Sequence, residues 1–478
     1  MARSDDWLGI VLPAAIAAVG LGGAVCAGLA LAVGGTSGAF DDLAAWWSAP
    51  PPWKPRFDVD PATTGGIDHA LLHEKLLPTW VVAGGYRGSA AGDAAFTDAG
   101  DAVRAAILGD PNLRALFEEL DAGVRAGPAN DPDRLVQRSA AWSRYLAERG
   151  VPWRVHGTVR SIGEDGSFTL KTYHVLAGFE ARVDDEARGP STAHVEIVTR
   201  TDGLNVVEGY LGAVTDGEDG ARVIVDRLET FALDTLWPMF DSADGAPLPA
   251  AVVAEASAAM PAAAVATLRA TAADRRRIVA AVDAIRERRR CGGRFVINRV
   301  PWDGFAAEDD LAEVAARDAG EACPGVTVDE AASLEAASDT IRATPGVVEA
   351  LEALLAFAAR PTIVHEVRHV ADGGYGADVA CATGCEGLSL ESRAELSAYL
   401  ASFAAPGAAA TALVQACGQR DLGGAHGAAL RAISFVASAC DDGLPELASA
   451  GWAEEVATFG RKAKITLPPE VPDRLPIR

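Results

Sequence analysis

Basic side chains are scarce in this chain. Its 478 residues contain 42 Lys and Arg against 66 Asp and Glu, which gives a net charge of −24. Nucleic-acid phosphates would be repelled by most of such a surface. We therefore expect no nucleic-acid partner.

Two further features are missing. No internal repeat is apparent, and no second cysteine pair at zinc-finger spacing accompanies Cys381-Ala-Thr-Gly-Cys385. That absence argues against a cysteine-based zinc finger. Apart from Cys26, the chain has six cysteines, an even number that suits an oxidising compartment. Their order along the chain suggests the pairs Cys291–Cys323, Cys381–Cys385 and Cys417–Cys440.

Charge is also absent from Trp7 to Val33, an apolar run rich in Ala, Gly, Leu and Val. It exceeds the roughly 20 residues that cross a bilayer. The run predicts a single-pass transmembrane helix in the cell (inner) membrane, with the lipid bilayer as a partner and the bulk of the chain extracytoplasmic. A cleaved signal peptide, with Ala30-Leu31-Ala32 as the cleavage site, is the alternative.

The chain is long enough for two or more domains. We predict an α+β fold in which an N-terminal transmembrane helix and a helical segment precede an antiparallel β-sheet region and a mainly α-helical domain. Strand-like alternation begins at Val151, and helical patterns return near Ala250. The predicted boundaries are an anchor at 1–40, a Pro/Trp-rich linker at 41–67, a helical segment at 68–150, a β-rich region at 151–245 and a helical domain at 246–478.

One short stretch carries the chemistry. His365 and His369 are four residues apart, so on a helix they project from one face and can hold one metal ion. Glu366 follows the first histidine, where a carboxylate can take a proton from an activated water. Pro361 suits the first position of this helix, and Gly373-Gly374 would end it. In this His-Glu-x-x-His motif the chain resembles the zincin metallopeptidases.

The resemblance implies a third protein ligand. The segment after Ser389, a predicted N-cap, forms an amphipathic helix with Glu391 and Glu395 one turn apart. This arrangement resembles the gluzincins, in which a Glu on a following helix completes the zinc site. Glu395 is favoured because Glu391 falls in the first turn, where a carboxylate usually interacts with the helix dipole. The gluzincin pattern also implies that His426 or Tyr399 stabilises the oxyanion.

The hypothesis is therefore a membrane-anchored peptidase with one Zn²⁺ ion that hydrolyses a peptide or protein substrate, with Glu366 as general base. Arg368, beside the second histidine, must point away from the metal or pair with a carboxylate. One alternative is a non-catalytic envelope protein whose degenerate zincin domain is structural or binds a partner. In another, His426 or a cysteine of Cys381–Cys385 adds a fourth ligand and the zinc is structural.

Overall fold

In a computed structural model of the chain, most residues within 66–280 and 336–476 are described. Residues 1–65 and 281–335 lie outside the described part, as do 86, 161–165, 186–188, 202–210, 215–219, 242–249, 278, 337–338, 342, 375–386, 406–407, 422, 434–435, 437–439, 441–462, 470 and 477–478. The predicted linker and the Cys291–Cys323 and Cys381–Cys385 pairs are among the features outside it.

Within the described residues, four helical segments come first. The segment α1 comprises His69–Leu71, a π-helical turn at Leu72–Leu76 and Leu77–Gly84, and it is followed by α2 (Ala90–Ala106), α3 (Pro111–Ala126) and α4 (Pro132–Glu148). A helical sequence pattern spans Asp101–Leu120, but α2 ends at Ala106 and α3 begins at Pro111. The Asp110 side chain accepts hydrogen bonds from the Asn112 and Leu113 amides, and Pro111 occupies the first helical position. This N-cap favours a new helix start.

In the part of the chain that the structure describes, six strands form one sheet. They are β1 (Trp153–Arg160), β2 (Ser167–Asp185), β3 (Gly189–Arg200), β4 (Gly212–Val214), β5 (Gly220–Ile224) and β6 (Ala463–Thr466). Their order is β1-β2-β3-β5-β4, and β6 pairs with the end of β2. Among these strands β4 therefore forms an edge, paired antiparallel with β5 through Ala213 and Arg222.

Further helices follow β5 along the described chain. They are α5 (Val225–Phe231, continued by Ala232–Leu236 and Trp237–Phe240), α6 (Ala250–Ala259), α7 (Ala262–Ala270), α8 (Val347–Asp372), α9 (Leu390–Ala404), α10 (Ala409–Gln419) and α11 (Gly424–Ala432). Cys417 of α10 forms a disulfide with Cys440, which confirms one predicted pair. The other two predicted pairs stay predictions.

The predicted fold class needs correction. The sheet is mixed rather than antiparallel, because β3 and β5 run parallel. Strands β2, β3 and β5 share one hydrophobic core with α8, α9 and α10. A second core joins α1 to α4 with β1. Among the described helices none combines the length and apolar character needed to cross a bilayer, and Trp7–Val33 lies outside them.

Candidate metal centre

Helix α8 carries both motif histidines. It begins after Gly346 and ends at Gly373, which has φ 96° and donates its amide to the carbonyls of His369 and Val370. This left-handed C-cap is the stop that the glycine pair predicts. Inside the helix, the Nε2 atoms of His365 and His369 lie 3.1 Å apart. The two rings therefore present their nitrogens to one point.

Pro361 is not the first residue of this helix. It lies in the middle of α8, which begins at Val347. A proline within a helix lacks the amide that would donate to the preceding turn. Nearly every side chain between Ala350 and Ala359 is buried, so tertiary packing continues the helix through it.

Helix α9 brings the third candidate ligand. Its N-cap is Ser389, as predicted, with the hydroxyl accepting from the Ser392 amide at 3.1 Å. Ala394 and Ala398 are fully buried, and small residues allow the close approach of two helices. The Ser402 hydroxyl donates to the Pro361 carbonyl of α8 at 3.1 Å, which joins the two helices.

Glu395 lies against both histidines. Its Oε2 is 3.1 Å from His365 Nε2, and its Oε1 is 3.5 Å from His369 Nε2. Glu391, one turn earlier, is exposed and lines the neighbouring cavity. The structure thus places Glu395, rather than Glu391, beside the histidine pair.

His426 of α11 joins the same group. Its Nδ1 lies 2.9 Å from Glu395 Oε2 and 3.2 Å from the Tyr399 hydroxyl, while 44% of its side chain is exposed. His365, Glu395 and His426 each offer one ligand atom within 4.8 Å of the others, so they form a group that can hold a metal ion. His426 thus lies where it can act either as a ligand or as a donor beside a bound ion.

The separations of the donor atoms fit a small tetrahedral ion. Zinc binds imidazole and carboxylate at about 2.0–2.2 Å, which places neighbouring ligands of a tetrahedron roughly 3.3 Å apart. The Nε2 atoms of His365 and His369 are 3.1 Å apart, and the two oxygens of Glu395 lie 3.1 Å from the first nitrogen (Oε2) and 3.5 Å from the second (Oε1). Two imidazole nitrogens and a carboxylate oxygen also match the ligand types that zinc takes in catalytic sites.

Charges at this cluster stabilise one another. Burial alone would raise the pKa of Glu395, but hydrogen bonds from His365, His369 and His426 hold it well below its usual range. Burial alone would lower the pKa of His365, but the hydrogen bond and charge of Glu395 raise it. Burial, together with the charges of Glu395 and Glu366, raises the pKa of Tyr399 well above its ordinary value. Tyr399 therefore keeps its hydroxyl proton, which it donates to Gln419 Oε1.

Glu366 faces a cavity of 440 Å³ between the helices and the sheet. Its side chain is buried and lies against the edge strand: a Cβ atom on Gly212 would be 2.6 Å from Glu366 Cγ and 2.8 Å from Oε1. Helices and strands contribute opposite walls of the cavity, which is lined by His156, Tyr173, Leu211, Gly212, Ala213, Val214, Arg222, Ile224, Thr362, His365, Glu366, Glu391, Glu395, Gln415, Gln419, Ala425 and His426.

Arg368 is outside this cavity lining. It is buried between α8 and α9, where its Nε donates to Asp372 Oδ2 at 2.9 Å and to Ser397 Oγ at 2.8 Å. The Ser397 hydroxyl donates in turn to Asp372. The guanidinium therefore pairs with a carboxylate, as we expected, and does not block the cleft.

The sequence does not predict which residues of the sheet line the cavity. Gly212, Arg222, Tyr173 and His156 lie far from the motif along the chain, and no local pattern connects them with it. One signal was present, because a glycine next to strand-like residues often marks a close backbone approach. Nothing in the sequence indicated that Glu366 is the group approaching Gly212.

Comparison with family models, with characterised proteins and with solved structures finds no match for this chain. Its functional assignment therefore depends on the site alone.

Proposed function

We propose that this chain is a zinc-dependent peptidase in which His365, His369 and Glu395 hold the ion. The observation that supports it best is the approach of Glu395 to both histidines, next to a cavity that contains the buried Glu366. Its Oε2 lies 3.1 Å from His365 Nε2 and its Oε1 lies 3.5 Å from His369 Nε2, and the two nitrogens are 3.1 Å apart. When bound, zinc lowers the pKa of a water molecule and polarises the scissile carbonyl.

Glu366 is the general base. Its carboxylate lines the cavity one residue after His365, and the backbone of Gly212 limits the space that it can occupy. It takes a proton from the attacking water and returns it to the leaving amine, as a carboxylate within hydrogen-bond reach of both can do. The buried position keeps the carboxylate in one place before the substrate binds.

His426 stabilises the oxyanion. Its Nδ1 lies 2.9 Å from Glu395 Oε2, and its ring lines the cavity together with Glu366. An imidazole N–H at this place can donate to the carbonyl oxygen as this oxygen gains negative charge. His369 is the better third ligand because it is fully buried on the same helix as His365, whereas His426 is partly exposed on α11.

A structural zinc site is the second candidate, and the same short distance between His426 and Glu395 favours it. If His426 coordinates together with His365, His369 and Glu395, the ion has four protein ligands and no open position for water. The Cys381–Cys385 loop, the other source of a fourth ligand, lies outside the described residues.

Zinc content and peptide hydrolysis of the full chain separate these functions. We expect His365→Ala and His369→Ala to lose zinc, and Glu366→Gln to keep zinc while hydrolysis falls by roughly 10²–10⁴-fold. Glu349→Gln, an exposed position on the same helix, is the matched control and should change neither. Zinc lost from His426→Ala, with no hydrolysis by the unaltered protein, would instead establish the structural site. No zinc after reconstitution would exclude both functions.

We place this site in an oxidising, extracytoplasmic compartment. The Cys417–Cys440 disulfide supports this location, because disulfides persist mainly in such compartments.

A further inference from the structure

Ser397 lies on α9, two positions after Glu395, and its hydroxyl contacts α8. The hydroxyl accepts a hydrogen bond from Arg368 Nε at 2.8 Å and donates one to Asp372 Oδ2 at 2.6 Å. Both partners belong to α8. The acceptor and the donor of one hydroxyl therefore join the helix that carries Glu395 to the helix that carries the two histidines.

This contact is shielded from water. The exposed fraction is 1% for Arg368, 2% for Asp372 and 8% for Ser397. Hydrogen bonds with a charged partner are about twice as strong as neutral ones, and a low local dielectric strengthens them further. The contact is therefore strong enough to fix the position of α9 on α8 at this point.

Arg368 and Asp372 form a pair that is complete without α9. They are four residues apart on α8, a spacing at which two helical side chains meet, and Arg368 Nε donates to Asp372 Oδ2 at 2.9 Å. The buried cation beside His369 is thus neutralised from within its own helix. Loss of the Ser397 hydroxyl would leave this ion pair in place and would remove its link to α9.

The place of the link suits the third ligand. Ser397 lies two residues, or about 3 Å of helix rise, beyond Glu395, and its two partners lie on either side of His369 in the sequence of α8. Glu395 has to bring one oxygen to 3.1 Å from His365 and the other to 3.5 Å from His369. A rotation or slide of α9 would move both oxygens, because Glu395 and Ser397 belong to the same helical turn.

A second hydroxyl joins the same two helices farther from the site. Ser402 is 2% exposed, and its hydroxyl lies 3.1 Å from the Pro361 carbonyl of α8 and 3.1 Å from the Ala398 carbonyl of its own helix. It follows Glu395 by seven residues, or about 10 Å of helix rise. Ser402 therefore provides a matched comparison, since it is also a buried serine between α8 and α9.

We propose that Ser397 is a positioning residue of the metal centre. Through Arg368 and Asp372 it holds α9 in the place where Glu395 meets both histidines before the ion binds. Ser397 is outside the cavity lining, so it acts through Glu395 and not on the substrate. This inference rests on zinc binding in the proposed function, and it names the contact that prepares the site for the ion.

Zinc affinity of the full chain, measured by competition with a chromophoric chelator, tests this role without any need for hydrolysis. We expect Ser397→Ala to bind zinc about 10-fold or more weakly, since loss of a group that supports a metal ligand typically weakens binding about 10–100-fold. Ser402→Ala should keep the zinc affinity of the unaltered protein, although it also loses a hydrogen bond between the helices.

Two variants of equal size separate the hydroxyl from the shape of the side chain. Ser397→Thr keeps the hydroxyl, whereas Ser397→Val has a methyl group in its place. Ser397→Thr should bind zinc more tightly than Ser397→Val, a rescue that packing alone would not give. This pair also decides the matter if Ser397→Ala does not fold.

The outcomes separate this role from the proposed function. Unchanged zinc affinity in Ser397→Ala, an equal loss in Ser402→Ala, or equal affinities of Ser397→Thr and Ser397→Val would overturn the role of Ser397 and leave the peptidase function standing. Zinc affinity that depends on Ser397 in a protein that hydrolyses nothing would support Ser397 and contradict the peptidase function. No zinc binding by the unaltered protein would overturn both.

Discussion

Gly212 lacks the side chain that would displace Glu366. A Cβ atom there would meet the Glu366 side chain at 2.6–2.9 Å, closer than carbon and oxygen atoms can lie without a shift. We therefore expect Gly212→Ala to move the carboxylate and to reduce hydrolysis by roughly 10–100-fold, since a shift of about 1 Å can have that effect. Zinc content should not change.

Gly178→Ala provides the control for this substitution. Gly178 is also a strand glycine, but its added Cβ would meet its nearest neighbour, His194, at 3.7 Å, an ordinary contact. Steady-state kinetics on both variants is the measurement. A Gly212→Ala protein that hydrolyses peptides at the unaltered rate would show that this contact does not position Glu366.

At the scale of single residues, the sequence predicted those residues of the site that lie close to one another along the chain. His365 and His369 follow from helical spacing, and Glu395 follows from its place inside the next helix. Gly212 and Arg222 could not be predicted in the same way. Their place depends on how the sheet packs against α8, and packing between distant segments leaves no periodic pattern in either one.

Helix α10 is tied by the Cys417–Cys440 disulfide, whose cysteines are separated by 23 positions in the sequence. In the chain-entropy model, closing a loop of this size stabilises a protein by about 3 kcal/mol. Helix α10 also contributes Gln415 and Gln419 to the cavity lining. We expect Cys440→Ser to lower the free energy of unfolding by about 2–4 kcal/mol, measured by urea denaturation.

Reduction of the unaltered protein supplies the comparison. Dithiothreitol should lower the urea midpoint of the unaltered protein by more than that of Cys440→Ser, because only the unaltered protein has the Cys417–Cys440 bond to lose. If reductant destabilises both proteins equally, another disulfide is responsible for the effect.

At the scale of helices and strands, local signals predicted the element types better than their connections. The Ser389 cap and the Gly373 stop are confirmed, because each depends on a few neighbouring residues. The continuous α8 was not predicted, since Pro361 is a strong local signal that tertiary packing overrides. The parallel pairing of β3 with β5 was also not predicted, because turn signals between successive strands favour antiparallel hairpins.

Two buried histidines make the stability of the whole molecule sensitive to acid. Burial lowers the pKa of His69 to about 4, against the charges of Asp110 and Asp68. Burial and the adjacent His69 lower the pKa of His73 to about 3. The unfolded chain therefore binds more protons than the folded one below about pH 6.5. The stability that the two neutral histidines contribute is fully present above that pH. It is lost as the pH falls toward 4 for His69 and toward 3 for His73.

The neutral form of these two buried histidines can be tested through the pH dependence of the unfolding free energy. Below pH 6 the slope of unfolding free energy against pH should include about one proton from each histidine, so His69→Phe should reduce this contribution by about half. Phenylalanine keeps a ring next to His73, which stacks on His69 with centroids 5.4 Å apart. Urea unfolding at several pH values is the measurement, and an unchanged slope would contradict the buried neutral form of His69.

For the whole molecule, composition predicted the mixture of helix and sheet but not how they combine. The change from helical to strand-like patterns did not decide whether the sheet is a separate domain or part of the same fold as the later helices. One core contains residues from β2 and from α8. Segments that lie far apart in sequence meet there, and the sequence alone does not reveal which apolar faces pair.

The last described strand, β6, is synthesised long after the strand with which it pairs. β6 pairs with the end of β2, where Thr466 is opposite Arg182, and the Leu475 amide donates to the Glu352 carbonyl of α8. A ribosome adds about 5–20 residues per second, so roughly 15–60 s pass between the synthesis of β2 and that of β6. During this interval the nascent chain contains β2, and later α8, but lacks these late contacts. We expect the chain to need a chaperone most at this stage.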